Sequence, residues 1–386
     1  MTASAPHSIL PSLTVDEERH SEAATALIRS RWAAAGGWLS FADFMELALY
    51  APGLGYYSAG AVKLGAGGDF VTAPEVSDLF SRCVARQCAD VLAETGGEIL
   101  ELGAGTGRMA CTVLESLAEL GVLPERYAIL EVSADLADRQ RARVAALPAE
   151  LRERVVWLDQ FPGKLVRGVI LANEVLDALP VQRFVVRDGV ARELGVGLVD
   201  GGFVWQESPT QVVDVAAAEL GLPDGYVSEV CPRVEPWIAG VGQCLERGAL
   251  LLFDYGLPRA HYYHSQRVDG TLRCYFKQRA HDDPFINIGV QDITAWVDFT
   301  RVADAGLAAG LEVAGFATQA AFLLGTGIEA MTAEAPDVVS RARLAGEARR
   351  LLMPGEMGEA FKVMALSRGL DMPLRGFAHQ DLRGSL

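Results

Sequence analysis

From residue 98 onward the apolar residues fall into short continuous runs, and between the runs they recur every three or four positions. Ile99, Leu100 and Leu102 predict a strand over 98–102. Met109, Ala110, Val113, Leu114, Leu117 and Leu120 lie on one stripe of a helix over 106–120. The alternation continues with a strand at 127–131, a helix at 134–146, and strands at 155–159, 168–172 and 249–253. The tail predicts a helix near 299–309, a strand near 319–324, a helix near 337–352 and a last strand near 361–367. Strands alternating with helices imply an α/β fold, with a mostly parallel sheet carrying helices on both faces. Ligands of such sheets lie beyond the carboxyl ends of the strands, where Glu131, Asn173 and Asp254 fall.

Upstream the pattern is helical over 17–34, from Ser40 to about Tyr50, and over 76–94. Ser40 and Asp43 resemble a capping box, Leu39 and Phe44 supply a hydrophobic staple, and Pro52 ends the helix. Two glycine-rich stretches, 51–57 and 65–75, read either as a lid over a site or as connecting loops. Two insertions interrupt the alternation. Residues 183–205 read as a meander turning at Asp188-Gly189 and Asp200-Gly201, and 258–298 is polar and aromatic. This predicts an N-terminal helical and lid region over 1–95, a core over 96–368 with insertions at about 183–230 and 258–298, and a tail over 369–386.

The first strand runs into Glu101-Leu-Gly-Ala-Gly-Thr-Gly107. Glycines let the backbone turn sharply and let a ligand approach where a side chain would collide. A tight strand-to-helix turn without a ligand gives the same pattern, and so do nicotinamide and flavin sites. The spacing G-x-G-x-G, with the acid Glu101 two residues ahead, departs from the G-x-G-x-x-G that sets a helix N-terminus on a pyrophosphate. A phosphate-free cofactor, S-adenosylmethionine, fits better. Glu131 closes the second strand, where a carboxylate can accept from both ribose hydroxyls. Asn173-Glu-Val-Leu-Asp177 follows the fourth strand. A helical turn there would put Glu174 and Asp177 on one face, able to grip a guanidinium. The macrodipole, which favours acids at a helix start, suits the same spacing.

Charge narrows the partners. The net charge of −16 argues against a nucleic-acid backbone. It permits an arginine-bearing protein segment, and it also serves solubility. The six cysteines form no C-x-x-C and read as reduced, mostly buried thiols. No apolar run is long enough to span a bilayer, so no membrane insertion is expected. An acidic N-terminal stretch with Asp16, Glu17 and Glu18 suggests a cytoplasmic protein. His261, His264 and His281, with Asp282 and Asp283, read as a solvated loop rather than a metal site.

The chain resembles the MidA family of S-adenosylmethionine-dependent methyltransferases. The resemblance is carried by Ser40–Tyr57, Gly68–Glu75, Glu101–Gly107, Leu130–Ser133, Asn173–Pro180, Asp254–Gly256, Gln291–Phe299 and Met357–Lys362. It implies a Rossmann-like class I methyltransferase core with a helical N-terminal extension and β-rich insertions. It implies that Gly103, Gly105, Gly107 and Glu131 contact the cofactor, and Glu101 and Asn173 are expected beside them. The mitochondrial members methylate an arginine of a peripheral-arm subunit of complex I, giving symmetric dimethylarginine. The expected reaction is therefore arginine N-methylation of a protein, with Glu174 and Asp177 orienting the guanidinium and Glu75 adding a third carboxylate. Two other readings compete. One is an assembly chaperone that holds the cofactor without turnover, and the other is a small-molecule methyltransferase.

Overall fold

The computed structural model describes residues 10–58, 72–163 and 166–386. The stretch 65–71 of the expected lid lies outside the described residues. The chain divides into two compact units, each assembled from three segments. One holds residues 71–176, 234–259 and 297–386, and the other holds 1–70, 177–233 and 260–296. Neither unit is a consecutive block, so the region expected over 1–95 is shared between them.

The first unit is a sheet flanked by helices. Its strands are β1 (Glu98–Leu102), β2 (Tyr127–Leu130), β3 (Val155–Leu158), β4 (Val166–Asn173), β5 (Leu245–Leu257), β6 (Glu312–Thr318) and β7 (Phe361–Arg368). They lie in the order β6-β7-β5-β4-β1-β2-β3, and Val297–Asp298 adds a short strand beside β5. The pairs among β1 to β5 are parallel, and β7 runs antiparallel to both neighbours. The middle strands are buried along almost their whole length, as continuous apolar runs require. Register sets the carboxyl ends side by side: Leu102 faces Leu130 and Ala172, and Asn173 faces Phe253.

One expected strand is a helix. Gln319–Gly325 is helical, and the strand precedes it at Glu312–Thr318. The run Ala-Ala-Phe-Leu-Leu is short and apolar, which suits either element. The side chain of Thr318 decides the matter by accepting from the Ala321 amide, an N-cap. The strand itself escaped notice because Gly315 interrupts its pattern. A Cβ at Gly315 would lie 2.3 Å from the Phe377 ring, so the missing side chain makes room for that ring.

The second unit carries the first two helices, Val15–Ala34 and Phe41–Tyr50. Thr14 and Glu17 form a reciprocal capping box on the first, and Ser40 caps the second through the Asp43 amide. The meander is present as Gln182–Arg187, Val190–Val199 and Gly202–Val212, with Val227–Val230 completing a four-stranded sheet. Residues expected only to be polar and aromatic form a second sheet from Arg273–Phe276, Arg279–His281 and Asp292–Thr294. The core is aromatic, with Trp205 4.7 Å from Phe41 and 4.8 Å from Phe285. The Tyr50 hydroxyl donates to the Ala178 carbonyl at 2.9 Å, and the Tyr57 hydroxyl donates to Asp292 at 3.0 Å. Asp177 belongs to this unit: it is 5% exposed, and its carbonyl accepts from the Ala295 amide at 3.1 Å.

Candidate active site

The turn after β1 is built on left-handed backbone. Gly103, Gly105 and Gly107 have φ of +68°, +54° and +78°, a region that costs any side chain strain. Gly103 and Gly107 differ in what surrounds them. A Cβ on Gly103 would only touch Val175, at 3.4 Å. One on Gly107 would meet the Cα and Cγ of Gln140 at 3.2 Å. Gly107 thus serves helix packing as well as the turn. Thr106 is held from two sides: its hydroxyl donates to Glu75, and its carbonyl accepts from Arg143 at 3.2 Å. Arg108 donates to the Glu75 carbonyl at 2.9 Å and to Asp78 at 2.9 Å. The structure therefore places Glu75 on the glycine turn, paired with Arg108 at 3.6 Å.

Glu101 is 1% exposed and accepts from the Tyr127 hydroxyl at 2.7 Å. Burial pushes its carboxyl up to about 7, against the lowering effect of the Tyr127 bond. Glu131 stands at the end of β2 and accepts from the Ser133 amide and from Gln140, each at 2.9 Å. Burial raises its carboxyl too, opposed by those two donors and by the Val132 amide. A carboxylate has about four lone-pair sites and three donors reach this one, so it can still accept from a ligand's hydroxyl. Val132 beside it is 81% exposed and offers apolar surface at the same strand end.

Gln140 was not anticipated, since the stretch Ala137-Asp-Arg-Gln-Arg reads as a solvated helix face. It is fully buried. Its amide nitrogen donates to the Gly105 carbonyl and to Glu131, both at 2.9 Å, and its oxygen accepts from Trp157 at 3.0 Å.

The segment after β4 is not the helical turn expected there, so helical spacing does not put Glu174 and Asp177 on one face. Two backbone contacts divert the chain. The Glu174 amide donates to the Phe253 carbonyl at 2.8 Å, extending the β4–β5 ladder by one residue. Asp254 takes the Leu176 amide at 2.9 Å, removing a donor that a helix would use. Asp254 is 1% exposed, and its other oxygen accepts from the Tyr255 amide at 3.0 Å, so this acid shapes the backbone. Glu174 itself is left-handed, at φ +53°. Asn173 donates to Glu174 at 3.2 Å, which leaves Asn173 Oδ1 buried and without a hydrogen-bond partner among the described residues. An acceptor left in this way at a strand's carboxyl end is open to a donor N–H or O–H.

These features define a class I S-adenosylmethionine-dependent methyltransferase: the order β6-β7-β5-β4-β1-β2-β3, a glycine turn after β1, and an acid closing β2. Residues 83–317 match the family model described as "Putative S-adenosyl-L-methionine-dependent methyltransferase", and the chain belongs to that family. A protein from Burkholderia thailandensis, solved bound to S-adenosyl-homocysteine, is 42% identical over 98% of this chain and 100% of that one, with a TM-score of 0.94. The Danio rerio protein arginine methyltransferase NDUFAF7, mitochondrial, is 27% identical over 90% of this chain and 91% of its own length. The Homo sapiens protein of the same name is 27% identical over 90% of this chain and 82% of its own.

The cofactor is S-adenosylmethionine, as the glycine spacing indicated, and the residues present suit it. The turn leaves room at Gly103, and Glu131 still has an accepting position open. The expectation of a cytoplasmic protein is overturned, because these relatives are named mitochondrial. The features behind it were weak guides: buried reduced thiols suit any reducing compartment, and an acidic stretch is not an address.

Proposed function

We propose that this methyltransferase transfers its methyl group to an arginine guanidinium of a protein, and that Asn173 and Glu174 receive that group. The observation that carries the proposal is the pair itself: a buried carbonyl oxygen lacking a donor among the described residues, next to a carboxylate, at the carboxyl end of β4. A guanidinium supplies several N–H donors and a positive charge, matching both. The naming of relatives that span most of the chain as protein arginine methyltransferases supports the same acceptor. The resemblance to the MidA family supports a peripheral-arm subunit of complex I as substrate and symmetric dimethylarginine as product.

The cofactor, when bound, supplies an electrophilic methyl on a sulfonium, a good leaving group. What remains for the protein is position and charge. Gly103 leaves space for the cofactor, and Glu131 accepts from its ribose. Asn173 Oδ1 accepts an N–H of the nitrogen to be methylated and so fixes where its lone pair points. The carboxylate of Glu174 balances the guanidinium charge, holds the group in place and takes the proton the methylated nitrogen gives up as the methyl–sulfur bond breaks. Asp177 and Glu75, expected to share this task, sit differently. Glu75 steadies the glycine turn, and Asp177 is buried in the other unit near Tyr50 and Tyr57.

The test is turnover with methyl-labelled cofactor on an arginine-bearing peptide and on its lysine counterpart. Label on arginine alone, lost in Asn173→Ala, supports the proposal. Cofactor binding without turnover on any protein would favour a chaperone, and label found only on small molecules would favour a metabolite acceptor.

A further inference from the structure

Gln140 is a fully buried amide all of whose bonds lead to the cofactor side of the sheet. Its orientation is determined by chemistry. The indole of Trp157 is a donor only, so it must face the amide oxygen. The amide NH2 then faces two acceptors, the Gly105 carbonyl and the Glu131 carboxylate, each at 2.9 Å. Both hydrogens are used, and the amide cannot flip without setting its oxygen against two other oxygens. One oxygen of Glu131 is thereby tied to Gln140 and the other to the Ser133 amide, which sets the plane of the carboxylate. The same amide anchors the middle of the glycine turn. The contact is close, because Gly107 leaves no space for a Cβ beside Gln140.

We propose that Gln140 is a positioning residue for the cofactor: it aims the Glu131 carboxylate at the ribose hydroxyls and couples that aim to the glycine turn. Trp157, 5.2 Å from the Arg141 guanidinium, is the fixed donor that sets the amide. Without Gln140 the carboxylate rotates, and one of its oxygens loses a charge-assisted partner. The inference rests on the assignment of Glu131 to the ribose.

The experiment compares two ligands, S-adenosylhomocysteine and its 3′-deoxyribose analogue, by calorimetry on the full chain. The variants are Gln140→Met, Glu131→Ala and the double variant. The wild-type protein is expected to prefer the hydroxylated ligand by about tenfold, the value of one good hydrogen bond to a charged group. Gln140→Met should reduce that preference to about threefold or less while changing the affinity for the deoxy ligand little. In the Glu131→Ala background, Gln140→Met should have no further effect on the preference. A Gln140→Met loss that is equal for both ligands, or equal in both backgrounds, overturns the inference and leaves Glu131 with the ribose. A Glu131→Ala variant that keeps the full preference overturns the ribose assignment and the inference with it. Should Gln140→Met fail to fold, Trp157→Phe replaces it, since it keeps an aromatic side chain and removes the donor. A reduced preference then supports the inference, and an unchanged one overturns it.

Discussion

The turn after β1 and the segment after β4 both swing the chain through left-handed backbone at the carboxyl edge of one sheet, the first on three glycines and the second on Glu174. The first is tied down by side chains around it. Glu75, Arg143 and Gln140 hold its Thr106 and Gly105, and a ligand meets a finished surface. The second holds an Asn173 oxygen without a partner among the described residues, and a glutamate kept where glycine would fit more easily. Backbone strain clusters at functional segments, and an unmet acceptor calls for an explanation. The contrast separates a rigid cofactor cradle from a segment kept for its side chains.

The largest effect should come from giving the first turn a side chain. Gly103→Val or Gly105→Val forces a β-branched residue into left-handed backbone and into the space reserved for the cofactor. Affinity for S-adenosylhomocysteine should fall at least about a hundredfold, near 3 kcal/mol. Calorimetry on a folded variant that still binds normally would show that the cradle does not depend on glycine, and the contrast would collapse.

The two segments were also unequally visible in the residues. Gly103, Gly105 and Gly107 announce themselves because the constraint is local: the residue that needs the angle is the residue that changes type. Gln140 could not be found so, since its partners lie at Gly105, Glu131 and Trp157 and its neighbours are ordinary helix polars. The segment after β4 was misjudged for the same reason. Nothing near Glu174 reveals that Asp254, far along the chain, claims the Leu176 amide. The strand at Glu312–Thr318 was hidden by Gly315, whose purpose is the distant Phe377 ring.

The next effect concerns the foundation of the cradle. Glu101 is raised to about 7 mainly by burial. The folded state therefore holds a proton that the unfolded state, with an ordinary carboxyl near 4.5, has already released. Stability should fall as pH rises from 4.5 toward 7, by about 3 kcal/mol in all, and stay level above. Glu101→Gln removes this slope. Denaturant midpoints of the two proteins should draw apart in favour of the variant over that range. Parallel curves would mean that Glu101 is ionised in the fold.

Glu174→Gln addresses the open segment directly. The amide keeps the shape and loses the charge, so methyl transfer to arginine should fall at least about tenfold, near 1.4 kcal/mol of transition-state stabilisation. S-adenosylhomocysteine affinity should stay within about twofold, because the residue belongs to the acceptor side. A lysine in place of the substrate arginine should also slow transfer, since an ammonium cannot form a planar two-bond fork. Unchanged turnover would remove Glu174 from the reaction and make the two segments equivalent scaffolding.

The smallest effect is the most discriminating. If Glu174 is kept for its side chain at the expense of its backbone, Glu174→Gly should separate stability from activity. Glycine adopts φ +53° freely, whereas a glutamate there carries roughly 1 kcal/mol of strain. Against that gain stands the larger entropy of glycine in the unfolded chain, of about 0.5–1 kcal/mol. The amide bond to Phe253 does not involve the side chain and survives the change. Stability should therefore move by less than about 1 kcal/mol, in contrast to the usual penalty for an ordered non-glycine position. Methyl transfer should drop at least as far as in Glu174→Gln, because Asn173 also loses the carboxylate that directs its amide. Chemical denaturation and turnover measured on the same preparation decide it. A clear loss of stability would mean that the Glu174 side chain supports the fold, and its left-handed backbone would then need no functional reason.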